Sequence, residues 1–211
     1  MSERNKLQSV VLRAAAIAVV LTCATALPAE AHHMMGGQTP ATFMEGLLSG
    51  LGHPVIGIDH LAFIVAMGVA VGSAGLNLAI PALFIAASAL GVALHVHGLA
   101  LPGAEALVAI SVLAAGTLIA LGRSIRTWLW AALFAVAGLV HGYAFGESIY
   151  GAEASPLAAY LVGLAIVQAV IATGVALLAR RSGAAAMEPR LAGAAIAGIG
   201  LAILAGQFIP A

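Results

Sequence analysis

The chain has 211 residues, of which 63% are hydrophobic and only 8% are charged. Soluble globular domains carry about 25% charged residues, so this composition excludes that class and predicts a polytopic membrane protein. Eight Lys and Arg balance eight Asp and Glu, which leaves no basic field for nucleic acid. The expected partners are therefore the lipid bilayer and a small solute, and a homo-oligomer is compatible with this composition.

Residues 1–31 have the organisation of a signal peptide. A basic start, an apolar core at 14–27 and a small-x-small cleavage site follow one another: Arg4, Lys6, Arg13 and Ala29-Glu30-Ala31. Cleavage there leaves a single domain, 32–211, with His32 emerging on the periplasmic side. A cut after Ala24-Thr25-Ala26 and an uncleaved anchor are the alternatives. The one cysteine, Cys23, lies in this segment, so the mature chain has no thiolate ligand.

Six apolar segments follow, each near the roughly 20 residues that a helix needs to cross the hydrocarbon. They lie at about 54–73, 77–97, 104–122, 128–146, 156–179 and 191–209. The pattern predicts an all-α bundle of about six transmembrane helices, with both ends of the mature chain periplasmic. The short loops favour antiparallel packing of consecutive helices. Before the first segment, the helical spacing of Phe43, Leu47 and Leu51 predicts a short interfacial or re-entrant helix.

Charge predicts the orientation of these helices. Two loops, 123–127 and 180–190, contain every basic residue after position 31: Arg123, Arg126, Arg180, Arg181 and Arg190. The positive-inside rule places such loops in the cytoplasm, which predicts a multi-pass protein of the bacterial inner membrane. Three tyrosines near the opposite surface, Tyr143, Tyr150 and Tyr160, are interpreted as an aromatic belt.

The metal-binding side chains gather toward the periplasmic half of this arrangement. All seven histidines lie there or outside the membrane, and so does Asp59: His32, His33, His53, His60, His95, His97 and His141. Ionisable groups inside a membrane are a functional-site hypothesis by default, and no membrane-embedded Lys or Arg is available to pair with Asp59. Imidazole and carboxylate without thiolate suit Ni(II), Co(II), Zn(II) or Cu(II).

The predicted roles follow from depth. Capture is assigned to His32, His33 and His53, central binding to Asp59, His60 and His141, and auxiliary ligation to His95 and Glu147. On a continuous helix, His53 and His60 share a face but lie about 10 Å apart along the axis. That spacing favours two separate stations for the ion, and a break near Pro54 and Gly57 is the alternative.

Two motifs resemble the HupE/UreJ family of nickel permeases, which are membrane accessory proteins of hydrogenases and ureases. His53, Asp59 and His60 match His-x5-Asp-His, and His141-Gly142-Tyr143-Ala144 with Glu147 matches a second motif. This chain has Phe145 where the family carries a further histidine, so Glu153 competes with Glu147 for the acidic position. The resemblance covers nearly the whole mature chain and implies nickel uptake, with cobalt handled by some members.

The predicted function is a secondary permease that imports nickel from the periplasm to the cytoplasm, without enzymatic activity or a prosthetic group. The sequence has no Gly-rich phosphate loop, so ATP-driven transport would need a partner chain. Cobalt or copper uptake on the same scaffold is the first alternative. The others are a membrane redox protein holding haem between His95 and His141, and a hydrolase with a metal-activated water at Asp59, His60 and His95.

Overall fold

The computed structural model describes residues 38–208, and this part of the chain is helical throughout its regular structure. Its helices are α1 (Phe43–Ile56), α2 (Ile58–Ser73), α3 (Pro81–Val96), α4 (Ala104–Leu121), α5 (Thr127–Phe145), α6 (Ala154–Ala179) and α7 (Met187–Gly206). A 3-10 turn, Gly146–Ile149, follows α5 directly. The all-α prediction is confirmed. The predicted signal peptide, His32 and His33 lie outside the described residues.

Five of the six predicted apolar segments correspond to one helix each, α3 to α7, whereas the first, 54–73, covers the last three residues of α1 and all of α2. By length and composition, α4 to α7 are four helices in the described range that can cross a membrane. The helices α1 and α2 pass the same test only together, as one bent span or a re-entrant segment, and α3 is a shorter apolar helix. The chain is therefore a multi-pass membrane protein with four or five clear spans.

The first predicted span is broken. The axes of α1 and α2 differ by 78°, and Gly57 between them has an extended backbone with φ −71° and ψ 105°. Pro54 lies in the last turn of α1, where its missing N–H and its ring weaken the helix. A Cβ at Gly57 would lie 2.6 Å from His60 Cδ2, so only glycine leaves room for that ring. The continuous helix favoured from the sequence is wrong.

The most extensive helix contacts join α3 with α5, α4 with α7, and α6 with both α1 and α2. Most of these helices are distant in sequence, so the expected packing of consecutive helices is wrong for the main contacts. Gly68 lies against Ala172 and Gly72 against Ala176, which shows that α2 and α6 run in the same direction. One long helix, α6, therefore supports both halves of the broken span.

Backbones approach closely where glycines line these interfaces. A Cβ on Gly142 would lie 2.0 Å from the backbone oxygen of Ser88, and one on Gly50 would lie 2.1 Å from that of Tyr160. Lipid is as apolar as leucine, so helices in a membrane associate through such close packing rather than through a hydrophobic force. These contacts bring α5 against α3 and α6 against α1.

The arginine-bearing loops lie at one end of the bundle. Arg180 Nη2 donates a hydrogen bond to the backbone oxygen of Leu76 at 3.2 Å, which joins the end of α6 to the end of α2. Arg190 Nε donates to the backbone oxygen of Ala120 at 3.0 Å, which joins the start of α7 to the end of α4. A shared basic end is what the predicted topology requires, and its assignment to the cytoplasm stays a prediction.

Candidate metal-binding site

The break at Gly57 brings three buried histidines together. His53 comes from the last turn of α1, His60 from the first turn of α2, and His141 from the last turns of α5. Their side chains are 4%, 3% and 0% exposed. The ring centroids of His53 and His60 are 5.7 Å apart, and those of His60 and His141 are 5.0 Å apart. These three residues, called the histidine cluster below, form one group rather than two stations.

His60 and His141 are joined through their Nδ1 atoms, which are 2.9 Å apart. Nε2 of His141 lies 2.8 Å from Ser111 Oγ, and that hydroxyl donates to the backbone oxygen of Val108 at 2.7 Å. A serine hydroxyl has one proton, so Ser111 accepts the N–H of His141 Nε2. This assignment leaves a lone pair on Nδ1 of His141, and Nδ1 of His60 donates to it.

His53 is oriented by two hydroxyl groups. Its Nδ1 lies 2.9 Å from Ser148 Oγ and 3.1 Å from the Tyr160 hydroxyl. The Tyr160 proton is donated to the backbone oxygen of Phe145 at 2.8 Å, and Ser148 donates to the Tyr160 hydroxyl at 3.1 Å. Nδ1 of His53 is therefore held between two buried hydroxyl oxygens.

Asp59 supplies negative charge beside the cluster. Its Oδ1 accepts a hydrogen bond from the backbone N–H of His60 at 2.8 Å and lies 3.9 Å from Nε2 of the same residue. The carboxylate lies in the first turn of α2, where the helix dipole favours an anion. Its side chain is 16% exposed, so it is the least buried member of the group.

Aromatic rings enclose the histidine cluster. The Phe145 ring lies 4.3 Å from the ring of His60 and 5.2 Å from that of His53, centroid to centroid. The rings of Phe63 and Phe84 lie 4.8 Å and 5.6 Å from that of His141. Phe145 therefore packs against the imidazoles of both His53 and His60. The site is a small polar group in an apolar, low-dielectric environment.

Two predicted auxiliary ligands lie apart from this group. Glu147 is exposed in the 3-10 turn, and the buried side chain of that turn is Ser148. The ring of His95, at the end of α3, lies 4.5 Å from that of Tyr143 and 5.7 Å from that of Tyr150. Within residues 38–208, the buried Nδ1 of His95 has no hydrogen-bond partner. The structure thus places His95 near the surface and leaves Glu147 in solvent.

The donors fit two coordination positions of an ion. Among residues 38–208, no three His, Cys, Asp or Glu side chains converge as the ligands of one metal would. Two nitrogens at the usual metal distance of about 2.0–2.1 Å and at a right angle lie about 2.9 Å apart. The Nδ1 atoms of His60 and His141 have that separation. Water, or a side chain that moves, would fill the other positions.

Sequence reasoning missed the residues that orient the histidines. Ser111, Ser148 and Tyr160 are buried and hydrogen-bonded to His53 or His141. The interpretation of Tyr160 as part of an aromatic belt is wrong, because its side chain is fully buried. Gln168 is also fully buried, and no function is assigned to it from the sequence. The sequence feature that could have indicated these residues is the presence of hydroxyl and amide side chains within or beside apolar segments.

Comparisons with known proteins identify the family of this chain. The family model described as HupE / UreJ protein matches residues 19–203. The Protein HupE of Rhizobium leguminosarum bv. viciae is 32% identical over 186 residues, which are 87% of this chain and 94% of that protein. No solved structure matches this chain. The chain therefore belongs to the HupE/UreJ family, membrane accessory proteins associated with nickel and cobalt transport.

Proposed function

We propose that this chain is a secondary permease that imports nickel ions from the periplasm to the cytoplasm across the bacterial inner membrane. The observation that supports this most strongly is the pair of buried Nδ1 atoms of His60 and His141, 2.9 Å apart. A buried hydrogen bond between two imidazoles holds one proton between two lone pairs. A divalent ion could take the place of this proton if the proton moves to Nε2 of His60, which lies 3.9 Å from Asp59 Oδ1. Both rings would then turn so that their Nδ1 lone pairs point at the ion, which gains two nitrogen ligands.

Charge and depth give an order of events. His32 and His33 would collect the ion outside, with His95 and Glu147 at the mouth as weaker ligands. Asp59 then offsets the cost of bringing a dication into an apolar region, because a charge inside a membrane needs a compensating partner. His60 and His141 take the ion through Nδ1. His53 approaches from α1 as a third imidazole.

The ligand set suits transport better than storage. Imidazole ligands without thiolate match nickel and cobalt, and two or three protein ligands bind less tightly than a closed site with four. An ion that must continue through the membrane needs favourable entry and weak retention. The histidine cluster meets both needs, because it is preorganised by hydroxyl groups yet coordinatively incomplete.

The proposal is tested by metal-resolved uptake into liposomes that contain the purified protein and no ATP. We expect nickel to accumulate over protein-free liposomes, with a rate that saturates as nickel is raised. No accumulation of any divalent ion would contradict the proposal. Faster uptake of cobalt or copper would support the permease function but identify a different substrate. A Soret band in the absorbance spectrum of the purified protein would instead support haem binding.

The hydroxyl of Ser111 is expected to tune nickel binding. Ser111→Ala removes the acceptor that holds His141 with its lone pair on Nδ1, and losses of this kind lower metal affinity about 10- to 100-fold. Titration of purified protein with nickel measures the change. Ser155→Ala is the matched control, because Ser155 is exposed at the start of α6. Equal nickel affinities of the two variants would show that Ser111 does not contribute to the binding site.

A further inference from the structure

A second polar group lies in the middle of the membrane-spanning part of the bundle. Gln168 is fully buried, and Ser88 is 1% exposed. Ser88 Oγ and Gln168 Oε1 are 3.2 Å apart. Gln168 is near the middle of the 26-residue helix α6, and Ser88 is near the middle of the 16-residue helix α3. A polar amide at that depth is costly unless it has partners or a function.

The hydrogen bonds of this pair are incomplete. Ser88 Oγ also lies 2.9 Å from the backbone oxygen of Ile85, to which it donates. Its single proton cannot fully serve both acceptors. Within residues 38–208, Nε2 of Gln168 has no hydrogen-bond partner. Because a primary amide can turn about its last bond, Gln168 can donate Nε2 to Ser88 and present its oxygen instead. In that orientation the amide oxygen of Gln168, rather than Nε2, is available to a cation.

The position of the pair connects it with the histidine cluster. Gln168 lies two turns after Tyr160 on the buried face of α6, about 12 Å along the axis, and Tyr160 contacts His53. Ser88 packs its backbone against Gly142, the residue after His141. Ser88 therefore lies level with His141, and Gln168 reaches it from a backbone position on α6 that is two turns nearer the arginine-bearing end than Tyr160.

The neighbouring route inward is apolar. The ring of Phe63 is stacked on that of Phe84 at 5.2 Å between centroids, and it meets the ring of Phe134 at 6.3 Å. Phe134 in turn contacts Trp130, with centroids 5.7 Å apart. These rings offer no lone pair to a cation that leaves His141. The Ser88–Gln168 pair, with Ser88 one turn after Phe84 on α3, is a buried polar group next to these rings.

We propose that Gln168, positioned by Ser88, is a second binding station, which receives the divalent cation or its hydration water after the histidine cluster. The amide oxygen is a neutral ligand, so it holds the ion weakly. Successive weak sites allow an ion to enter and to leave. This inference rests on the proposed permease function, and it assigns to Gln168 a role in transfer rather than in first binding.

The test separates transfer from binding with two substitutions at Gln168. Gln168→Met keeps the length of the side chain and removes the oxygen, and Gln168→Glu keeps the oxygen and adds charge. Nickel uptake into liposomes and equilibrium nickel binding by the purified protein are measured for each. The methionine variant is expected to lose at least about tenfold in uptake rate and to bind nickel as the native protein does. The glutamate variant is expected to retain uptake, with a lower KM.

Gln207→Met is the matched control, because Gln207 is exposed after α7. Native uptake by Gln168→Met would overturn the inference. So would equal losses of uptake in the methionine and glutamate variants, because that pattern indicates a packing role only. If Gln168→Met does not fold, Ser88→Ala with Gln168→Glu provides the same comparison. Failure of the native protein to transport any metal would instead refute the permease function.

Discussion

Nickel uptake is expected to fall at least about tenfold when His60 is replaced by alanine. His60 supplies one of the two Nδ1 atoms that lie 2.9 Å apart, and it is the histidine that contacts both other members of the cluster. Its loss leaves one nitrogen where two are needed for a preorganised site. Uptake of radioactive nickel into liposomes that contain equal amounts of native and variant protein measures the effect.

His97→Ala is the control for this experiment. His97 follows α3 and is exposed, so its removal takes away an imidazole near the same end of the bundle without touching the cluster. We expect its uptake to equal that of the native protein. An uptake by His60→Ala within about twofold of native would refute the proposed site. A normal elution profile in detergent shows that the variant protein is folded.

The second large effect is expected at Gly142, where alanine should destabilise the folded protein by about 3 kcal/mol, the upper end of the usual cost of overpacking. The added Cβ would lie 2.0 Å from the backbone oxygen of Ser88 and 2.5 Å from its Cα. Backbone atoms cannot turn aside as the end of a side chain can, so α5 must move away from α3. Thermal unfolding in detergent measures the loss.

Gly174→Ala provides the matched comparison. Gly174 also lies within a helix, α6, but a Cβ there meets nothing within 4 Å. Alanine is the better helix former by about 1 kcal/mol, so this variant is expected to melt at or slightly above the native temperature. Equal melting temperatures of the two alanine variants would show that the α3–α5 contact tolerates an extra methyl group.

The sequence predicts the helices well because hydropathy over 20 residues is a local signal. The segment 104–122 became Ala104–Leu121, and 156–179 became Ala154–Ala179. Which helices touch is a matter of surface shape, and the closest pairs form where a glycine such as Gly50 meets a distant backbone. No local pattern indicates that distant partner, so the main helix pairs were predicted wrongly.

The candidate site was predicted in its residue types and not in its geometry. His60 and His141 could be assigned to one level by counting residues from the ends of their helices. Periodicity could not decide between the continuous helix and its alternative, a break near Pro54 and Gly57, since both residues are tolerated within membrane helices. The error in the spacing of His53 follows from that break. The hydroxyl partners Ser111, Ser148 and Tyr160 could not be predicted, because serine and tyrosine are common at helix interfaces.

The chain order of the histidine cluster has a consequence for biogenesis. The hydrogen bond between His60 and His141 joins residues that are 81 positions apart, and the one between His53 and Tyr160 spans 107 positions. Spans enter the membrane in the order of synthesis, so His53 and His60 are already in the bilayer before α5 and α6 are synthesised. A nascent chain that stops before α6 therefore cannot complete the hydrogen bonds of the histidine cluster, however correctly its earlier helices have inserted.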